Sequence, residues 1–182
     1  MKIAIVGTHC SGKTSLIGEL YHKIEFKNYD FCEEPIRTVG RLQFQVNEDS
    51  DDAAQLAMCA IHLRNLSYTN FISDRSLLDL YVYGQTLRNM TPATLELIKN
   101  MWRNNADKYD YLFLCTPEFP LVKDGFRSVN KEWQKTIDDL FNKELTYLKE
   151  NCILKHCKII TLHGSTKDRC KTVLMEVFGS GK

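Results

Sequence analysis

Short apolar runs alternate along the chain with longer segments whose apolar residues recur at helical spacing. The runs have the length of buried strands, and we predict five of them, at residues Lys2–Val6, 29–32, 70–73, Tyr111–Cys115 and Lys158–Leu162. Strands separated by helical patterns in this way are typical of a doubly wound parallel sheet. The pattern therefore predicts an α/β fold, a three-layer sandwich around a five-stranded parallel sheet.

The segments between the runs predict amphipathic helices with recognisable ends. We expect them at about residues 13–24 and 52–67, from near 77, from 92, over about 130–150, and from about 166 to 178. Thr91 followed by Pro92 has the form of an N-cap and a first helical residue. Ser165 and Asp168 have the spacing of a capping box, and Gly179 is placed to end the last helix.

Length and composition fit one domain over residues 1–178, with 179–182 as a flexible tail. Lys and Arg number 24 against 23 Asp and Glu, so the charge gives no reason to expect a nucleic-acid partner. No segment is long and apolar enough for a membrane, and the chain starts directly in a strand rather than a signal peptide. Seven scattered cysteines without a C-x-x-C pair add to the expectation of a cytoplasmic protein with free thiols. The pattern does not fix the oligomeric state.

Residues 7–14, Gly-Thr-His-Cys-Ser-Gly-Lys-Thr, match the phosphate-binding loop G-x-x-x-x-G-K-[ST] between a strand and a helix. Gly7 and Gly12 let backbone N–H groups close on a phosphate at the positive end of the helix. Lys13 would reach the β- and γ-phosphates, and the Thr14 hydroxyl would ligate Mg²⁺. The motif predicts that ATP and Mg²⁺ are bound, through Gly7, Cys10, Ser11, Gly12, Lys13, Thr14 and Ser15.

Polar segments follow the other four strands, at residues 33–37, 74–76, 116–128 and 163–169. In open α/β sheets, ligands bind beyond the carboxyl ends of the strands. We therefore expect these four segments to converge on the phosphate loop.

The same segments supply candidates for phosphoryl transfer, which depends mainly on positioning and charge stabilisation. Asp74 is suited either to hold Mg²⁺ or to orient the acceptor hydroxyl, and Glu34 is the alternative base. Arg75 would neutralise phosphate charge and Arg37 would grip the acceptor. Residues 117–128, with the cations Lys123 and Arg127, have the composition of a lid that closes over the triphosphate.

Three classes of P-loop protein compete for this pattern. A GTPase needs an N-K-x-D element and a D-x-x-G switch, and neither occurs where the fold would place it. A large AAA-type motor normally needs a second helical domain, for which 182 residues leave no room. A small kinase needs an acceptor pocket, a base and a cationic lid, and each has a candidate.

Several segments together resemble the NadR-type nicotinamide riboside kinase group of P-loop proteins. Besides the phosphate loop, the resemblance rests on E-P-I-R at 34–37, D-R-S-L-L-D at 74–79, D-G-F-R-S at 124–128 and G-S-T-K-D-R at 164–169. These cover almost the whole chain in the same order. The E-P and D-R-S segments are also similar to deoxynucleoside kinases, which keep a glutamate where Asp74 stands.

The resemblance implies a nucleoside or nucleotide kinase-like fold. It implies Glu34 or Asp74 as base or magnesium organiser, and Arg75 and Arg127 at the transferring phosphate. It also implies adenine contacts from Gly164, Ser165 and Arg169, and acceptor contacts from Glu34, Arg37, Arg75 and Asp79.

We therefore expect an ATP- and Mg²⁺-dependent kinase for a small-molecule acceptor, either a nucleoside (nicotinamide riboside or a deoxynucleoside) or a nucleoside monophosphate. The alternative is a regulatory module that binds ATP without acceptor turnover. Gln55, His62 and Arg64 lie on the predicted helix 52–67, where small kinases often form an acceptor lid. His62 there either contacts substrate or packs in the interior.

Overall fold

The computed structural model describes residues 1–121 and 130–179. In these parts of the chain, five strands and seven α-helices follow one another as β1 (Lys2–Val6), α1 (Lys13–Tyr21), β2 (Asp30–Cys32), α2 (Pro35–Arg41), α3 (Asp52–Asn65), β3 (Phe71–Asp74), α4 (Leu77–Gly84), α5 (Pro92–Asn105), β4 (Tyr111–Cys115), α6 (Lys131–Glu150), β5 (Lys158–Leu162) and α7 (Thr166–Phe178).

The five strands form one parallel sheet in the order β2-β3-β1-β4-β5. β1 lies between β3 and β4, with Ile5 opposite Asp74 on one side and Val6 opposite Leu114 on the other. The connection that follows β1 leads to β2 in one half of the sheet, and the connection that follows β3 crosses to β4 in the other half. The carboxyl end of β1 therefore lies at the switch point where ligands collect in such folds. The predicted α/β fold with a five-stranded parallel sheet is confirmed.

Side chains alternate between the two faces along each buried strand, so apolar side chains project from both faces of the sheet. Helices therefore cover both faces. Ile3 and Ile5 of β1 are fully buried in the core that includes α1 and α7. Ala4 and Val6 are fully buried in the core of the opposite face, which α3, α4, α5 and α6 complete. These two cores fix β1 rigidly, and with it the start of the phosphate loop.

Some predicted boundaries were wrong by one to three residues. β2 begins at Asp30 rather than 29, and β3 spans Phe71–Asp74 rather than 70–73, which makes Asp74 a buried strand residue. α1 ends at Tyr21 because a 3₁₀ turn occupies Ile24–Phe26, and α3 ends at Asn65 rather than 67.

One helix, α2, was not predicted. Pro35 occupies its first turn, which is a start signal. However, the seven-residue segment contains Thr38, Val39 and Gly40, which are weak helix formers. It lies against α3, so tertiary packing rather than local propensity supports it.

The C-terminal helix has the predicted caps. Ser165 and Asp168 form a capping box, and Gly179 (φ 77°) follows the last helical residue and donates its N–H to Met175 O. The rest of the predicted tail lies outside the described residues. All seven cysteines are free thiols, and none of the helices in the described ranges is long and apolar enough to cross a bilayer.

Candidate active site

The phosphate loop joins β1 to α1 along a course that only glycine fits at two points. A Cβ at Gly7 (φ 129°) would lie 2.6 Å from the Cys115 carbonyl oxygen, and one at Gly12 (φ 82°) would lie 2.6 Å from Phe119 Cε2. Both backbone angles are in the region that L side chains rarely adopt. This tight turn at the start of a helix is the cradle that binds phosphate through backbone N–H groups.

Lys13 lies inside this cradle and is buried. Its Nζ donates to the carbonyl oxygens of Gly7 at 2.9 Å and Thr8 at 2.5 Å. Burial, with the charge of Arg75, lowers the pKa of the lysine to about 8. An anion in the cradle would stabilise the ammonium, so the loop fits a phosphate group electrostatically.

The Thr14 hydroxyl donates to Asp74 Oδ2 at 2.7 Å, which joins the helix start to the end of β3. Within the described residues, the other carboxylate oxygen, Asp74 Oδ1, is buried without a hydrogen-bond partner. Burial and the nearby Glu34 raise the pKa of Asp74. A hydroxyl beside a buried, incompletely satisfied carboxylate is an oxygen-donor set that fits Mg²⁺.

Arg75 follows directly and has a left-handed backbone (φ 74°), a strained conformation for a non-glycine residue. Its N–H donates to Ile5 O at 3.0 Å and its carbonyl accepts from Ser73 Oγ at 2.8 Å, which hold the turn. The guanidinium forms an ion pair with Glu34 and lies 4.8 Å from the centre of the Tyr83 ring.

Asp79, predicted as an acceptor contact, hydrogen-bonds to the start of α4 and to the phosphate loop. Its carboxylate completes the capping box of α4 by accepting from Ser76 N at 2.9 Å, and it accepts from Gly7 N at 3.4 Å. It also lies 3.5 Å from Arg75 Nη1. Burial raises its pKa to about 6. The side chain thus ties α4 to the phosphate loop while it borders the adjoining cavity.

A cavity of about 200 Å³ opens beside the phosphate loop. Its lining is mostly apolar and aromatic, with a few polar groups, as in small-molecule sites. The residues that line it come from the loop, α2, α3, α4 and α6, and from the segments between them: His9, Glu34, Pro35, Ile36, Arg37, Gly40, Phe44, Val46, Asn47, Gln55, Met58, His62, Arg75, Asp79, Leu80, Tyr83, Leu87 and Trp133.

Two buried polar side chains of α3 face this cavity with unsatisfied atoms. Gln55 Nε2 donates to Ser50 Oγ at 2.8 Å, whereas Gln55 Oε1 and both ring nitrogens of His62 lack a hydrogen-bond partner among the residues that the structure describes. Burial, with the charge of Arg75, lowers the pKa of His62 to about 3, so the ring is neutral. Buried polar atoms are normally paired, so these are candidates for ligand contacts.

Not every predicted site residue joins this cluster. Arg37 is exposed at the cavity edge. Lys123 and Arg127, and with them most of the predicted lid, lie outside the described residues. Cys10 (φ 56°) is partly buried within the loop, and Ser15 is exposed on α1.

The segments after β4 and β5 meet each other around Arg169, whose side chain is fully buried. Its guanidinium donates to Gly164 O at 3.0 Å, Ser11 O at 2.7 Å and Thr116 O at 3.1 Å. Glu118 Oε2 accepts from Gly164 N at 2.7 Å and closes the group. The four segments thus reach the phosphate loop as two pairs: Glu34 meets Asp74–Arg75 on one side, and the segments after β4 and β5 meet on the other, where Arg169 donates to Ser11 O.

The sequence offers Tyr83 either for stacking on a base or for core packing, but it did not predict that Tyr83 forms one group at the cavity with His9 and Trp133. The His9 ring stacks on Trp133 with centroids 5.1 Å apart, and Tyr83 meets Trp133 edge to face at 5.5 Å. For His9, the signal was that a histidine stands in the phosphate loop. Its partners are far away in sequence, so no local pattern joins them.

The AAA domain family model matches residues 2–169, which is nearly the whole chain. The chain belongs to this family. No curated protein matches it in a sequence comparison.

This AAA domain is also similar to solved kinase structures. A NadR protein in complex with NR superposes with a TM-score of 0.67 at 18% identity, over 98% of this chain and 52% of that chain. A NadR protein in complex with NAD and AMP-PNP superposes with a TM-score of 0.69 at 16% identity, over 99% of this chain and 50% of that chain. A deoxyadenosine kinase from M. mycoides with the products dCMP and dCDP superposes with a TM-score of 0.66 at 17% identity, over 97% of this chain and 98% of that chain.

The chain therefore spans about half the length of the NadR structures and nearly the full length of the deoxyadenosine kinase. At these identities the likeness shows the fold, which is that of P-loop nucleoside kinases. Together with the family match, it confirms the predicted resemblance to NadR-type P-loop kinases.

Proposed function

We propose that this protein is an ATP- and Mg²⁺-dependent kinase that phosphorylates a nucleoside or a nucleoside monophosphate. One observation carries the proposal: the Glu34–Arg75 ion pair lies between the phosphate loop and a cavity of small-molecule size. A carboxylate and a guanidinium at that junction are the groups that an acceptor hydroxyl and a transferring phosphoryl group require.

On the donor side, the N-terminus of α1 and Lys13 would hold the triphosphate. Thr14 and Asp74 would hold Mg²⁺, which neutralises charge on the β- and γ-phosphates when bound. ATP is the proposed donor, and the AMP-PNP in one of the similar NadR structures supports this choice. Residues 164–169 and Phe119, whose ring lies 4.8 Å from the Arg169 guanidinium carbon, border the phosphate loop where the adenine is expected.

On the acceptor side, the cavity offers aromatic rings and the unsatisfied atoms of Gln55 and His62. These suit a planar heteroaromatic base that can both donate and accept hydrogen bonds. The neighbouring structures are consistent with such a ligand, since one contains NR and another dCMP.

In the proposed reaction, an acceptor hydroxyl oxygen forms a bond to the γ-phosphorus while the bond to the β,γ-bridging oxygen breaks, and ADP leaves. Glu34 takes the proton of the acceptor hydroxyl, because Glu34 lines the cavity whereas Asp74 is hydrogen-bonded to the Thr14 hydroxyl. Arg75, freed from Glu34 as that carboxylate becomes protonated, stabilises charge on the transferring group.

The test is ADP release from ATP and Mg²⁺ with a panel of acceptors. The panel holds nicotinamide riboside, the common ribo- and deoxynucleosides and their monophosphates. Lys13→Ala is the blank, and Lys171→Ala, at an exposed lysine of α7, is the matched control. Acceptor-dependent turnover that Lys13→Ala loses and Lys171→Ala keeps would support the proposal. Tight ATP binding with no stimulation by any acceptor would contradict it and favour the regulatory module.

A further inference from the structure

His9 stands inside the phosphate loop yet contacts the two helices on the acceptor side. Its ring stacks on Trp133 of α6, with centroids 5.1 Å apart and 29° between the planes. Its Nδ1 lies 3.4 Å from the Tyr83 hydroxyl of α4, and its carbonyl accepts from Gln134 Nε2 at 2.8 Å. The side chain is therefore fixed by groups outside the loop.

The partners of His9 are themselves anchored. Trp133 Nε1 donates to Thr86 Oγ1 at 2.9 Å, and the Tyr83 ring lies under the Arg75 guanidinium at 4.8 Å. His9, Tyr83 and Trp133, here called the aromatic trio, all line the cavity. Through the trio, the loop that holds the donor forms one wall of the acceptor site.

The part of the acceptor that lies beside this wall follows from the chemistry of transfer. The attacking hydroxyl must come within about 3–3.5 Å of the phosphorus. In a nucleoside that hydroxyl belongs to the sugar, so the sugar lies next to the loop and the base lies further along the cavity, toward Gln55 and His62 of α3.

We propose that His9 binds the sugar of the acceptor and discriminates between acceptors by their ribose hydroxyl groups. The inference rests on the proposed kinase function and adds a specificity-determining residue to it. An imidazole nitrogen can donate to or accept from a hydroxyl group, as Nδ1 does beside the Tyr83 hydroxyl, and this chemistry suits a sugar hydroxyl. A site built to hydrogen-bond a hydroxyl discriminates strongly against the analogue that lacks it.

The test compares three variants with the wild type. His9→Phe keeps a ring for stacking on Trp133 but removes both nitrogens. Tyr83→Phe removes the hydroxyl that faces His9 but keeps the ring. His22→Phe is the control at an exposed histidine outside the site. The acceptors are the ribo, 2′-deoxy and 3′-deoxy forms of the nucleoside base that gives the most turnover in the panel. Thermal unfolding checks that each variant is folded.

We expect the wild type to discriminate against at least one deoxy form, mainly through the acceptor KM. His9→Phe should reduce this discrimination about tenfold while the preference among bases and the KM for ATP stay the same. His22→Phe should match the wild type. Tyr83→Phe should reduce the discrimination partly, because His9 loses the group that orients it.

The inference would be overturned if His9→Phe lowered kcat/KM for all sugars equally, or if the KM for ATP rose by the same factor. Either result would make His9 a residue that only shapes the loop. If the wild type phosphorylates no acceptor, the proposed function itself fails, which is a different result from turnover with unchanged sugar preference.

Discussion

Two arginines lie on opposite sides of the phosphate loop, and their partners differ. Arg75 is paired with the carboxylates of Glu34 and Asp79 beside a cavity. Arg169 is fully buried and donates mainly to backbone carbonyl oxygens of the loop and of its neighbours. A guanidinium that is paired with carboxylates can exchange them for a phosphate group. A guanidinium that donates hydrogen bonds to backbone carbonyl oxygens holds the main chain in place. We therefore expect Arg75 to serve turnover and Arg169 to serve stability.

The strongest test of this comparison is the removal of Arg75. Arg75→Ala should lower acceptor-dependent turnover by about a thousandfold, because an arginine at the transferring phosphate supplies most of its charge stabilisation. Arg75→Lys should recover little of it, since lysine keeps the charge but not the planar fork. Steady-state ADP release measures both.

The matched variant Arg88→Ala, at an exposed arginine, should retain full turnover. If Arg75→Ala kept more than a tenth of the wild-type rate while its melting temperature fell sharply, Arg75 would be a structural residue like Arg169.

The second test removes Arg169. Arg169→Ala leaves the carbonyls of Ser11, Gly164 and Thr116 without their donor. The free energy of unfolding should fall by about 3 kcal/mol, since a buried hydrogen bond to a charged group contributes about 1.5–3 kcal/mol. Urea denaturation measures this. Protein that remains folded should show a raised KM for ATP, because Ser11 belongs to the phosphate loop, with a smaller loss of kcat.

The third test compares the carboxylates that accompany the two arginines. Glu34→Gln should lower turnover about a hundredfold, as expected when a general base is lost. Glu118, which lies 3.4 Å from Arg169, is partly exposed. Glu118→Gln should change turnover less than about twofold, because Glu118 belongs to the group around Arg169 and does not line the cavity. Equal losses in the two variants would show that carboxylate contact alone does not distinguish the arginines.

The sequence predicted the frame of the site well, because its signals are local. The phosphate loop, the limits of β1, β4 and β5, and the caps at Thr91 and Ser165 depend on residues close together in the chain. The position of Glu34 and Arg75 at neighbouring strand ends followed from the parallel sheet. The ion pair between Glu34 and Arg75 and the contact of Arg75 with Tyr83 did not follow from the sheet.

What local patterns could not show depends on packing between distant elements or on unusual backbone. The left-handed turn at Arg75 directs its guanidinium to Glu34, and no propensity favours that conformation for arginine. The carbonyl partners of Arg169 become evident only once β4 and β5 are paired. The stacking of His9 on Trp133 requires α6 to return beside the loop. Each of these is a tertiary contact that the sequence pattern does not encode locally.

The smallest expected effect concerns the pKa of His62, which the charge of Arg75 lowers from another part of the same cavity lining. Burial and the charge of Arg75 lower the pKa of His62, whereas the charge of Glu34 raises it. The net result is a shift from 6.5 to about 3. The unfolded chain binds a proton below pH 6.5 and the folded ring does not, so stability should fall as the pH drops from 6.5 toward 3. His62→Gln carries no titrating ring. Between pH 7.5 and 5.5 it should therefore lose about 1.4 kcal/mol less stability than the wild type. Urea denaturation at the two pH values measures the difference, with His22→Gln as the exposed control. Parallel curves for wild type and His62→Gln would mean that the ring takes up its proton in the folded protein, and that the cavity beside Arg75 is more polar than its lining indicates.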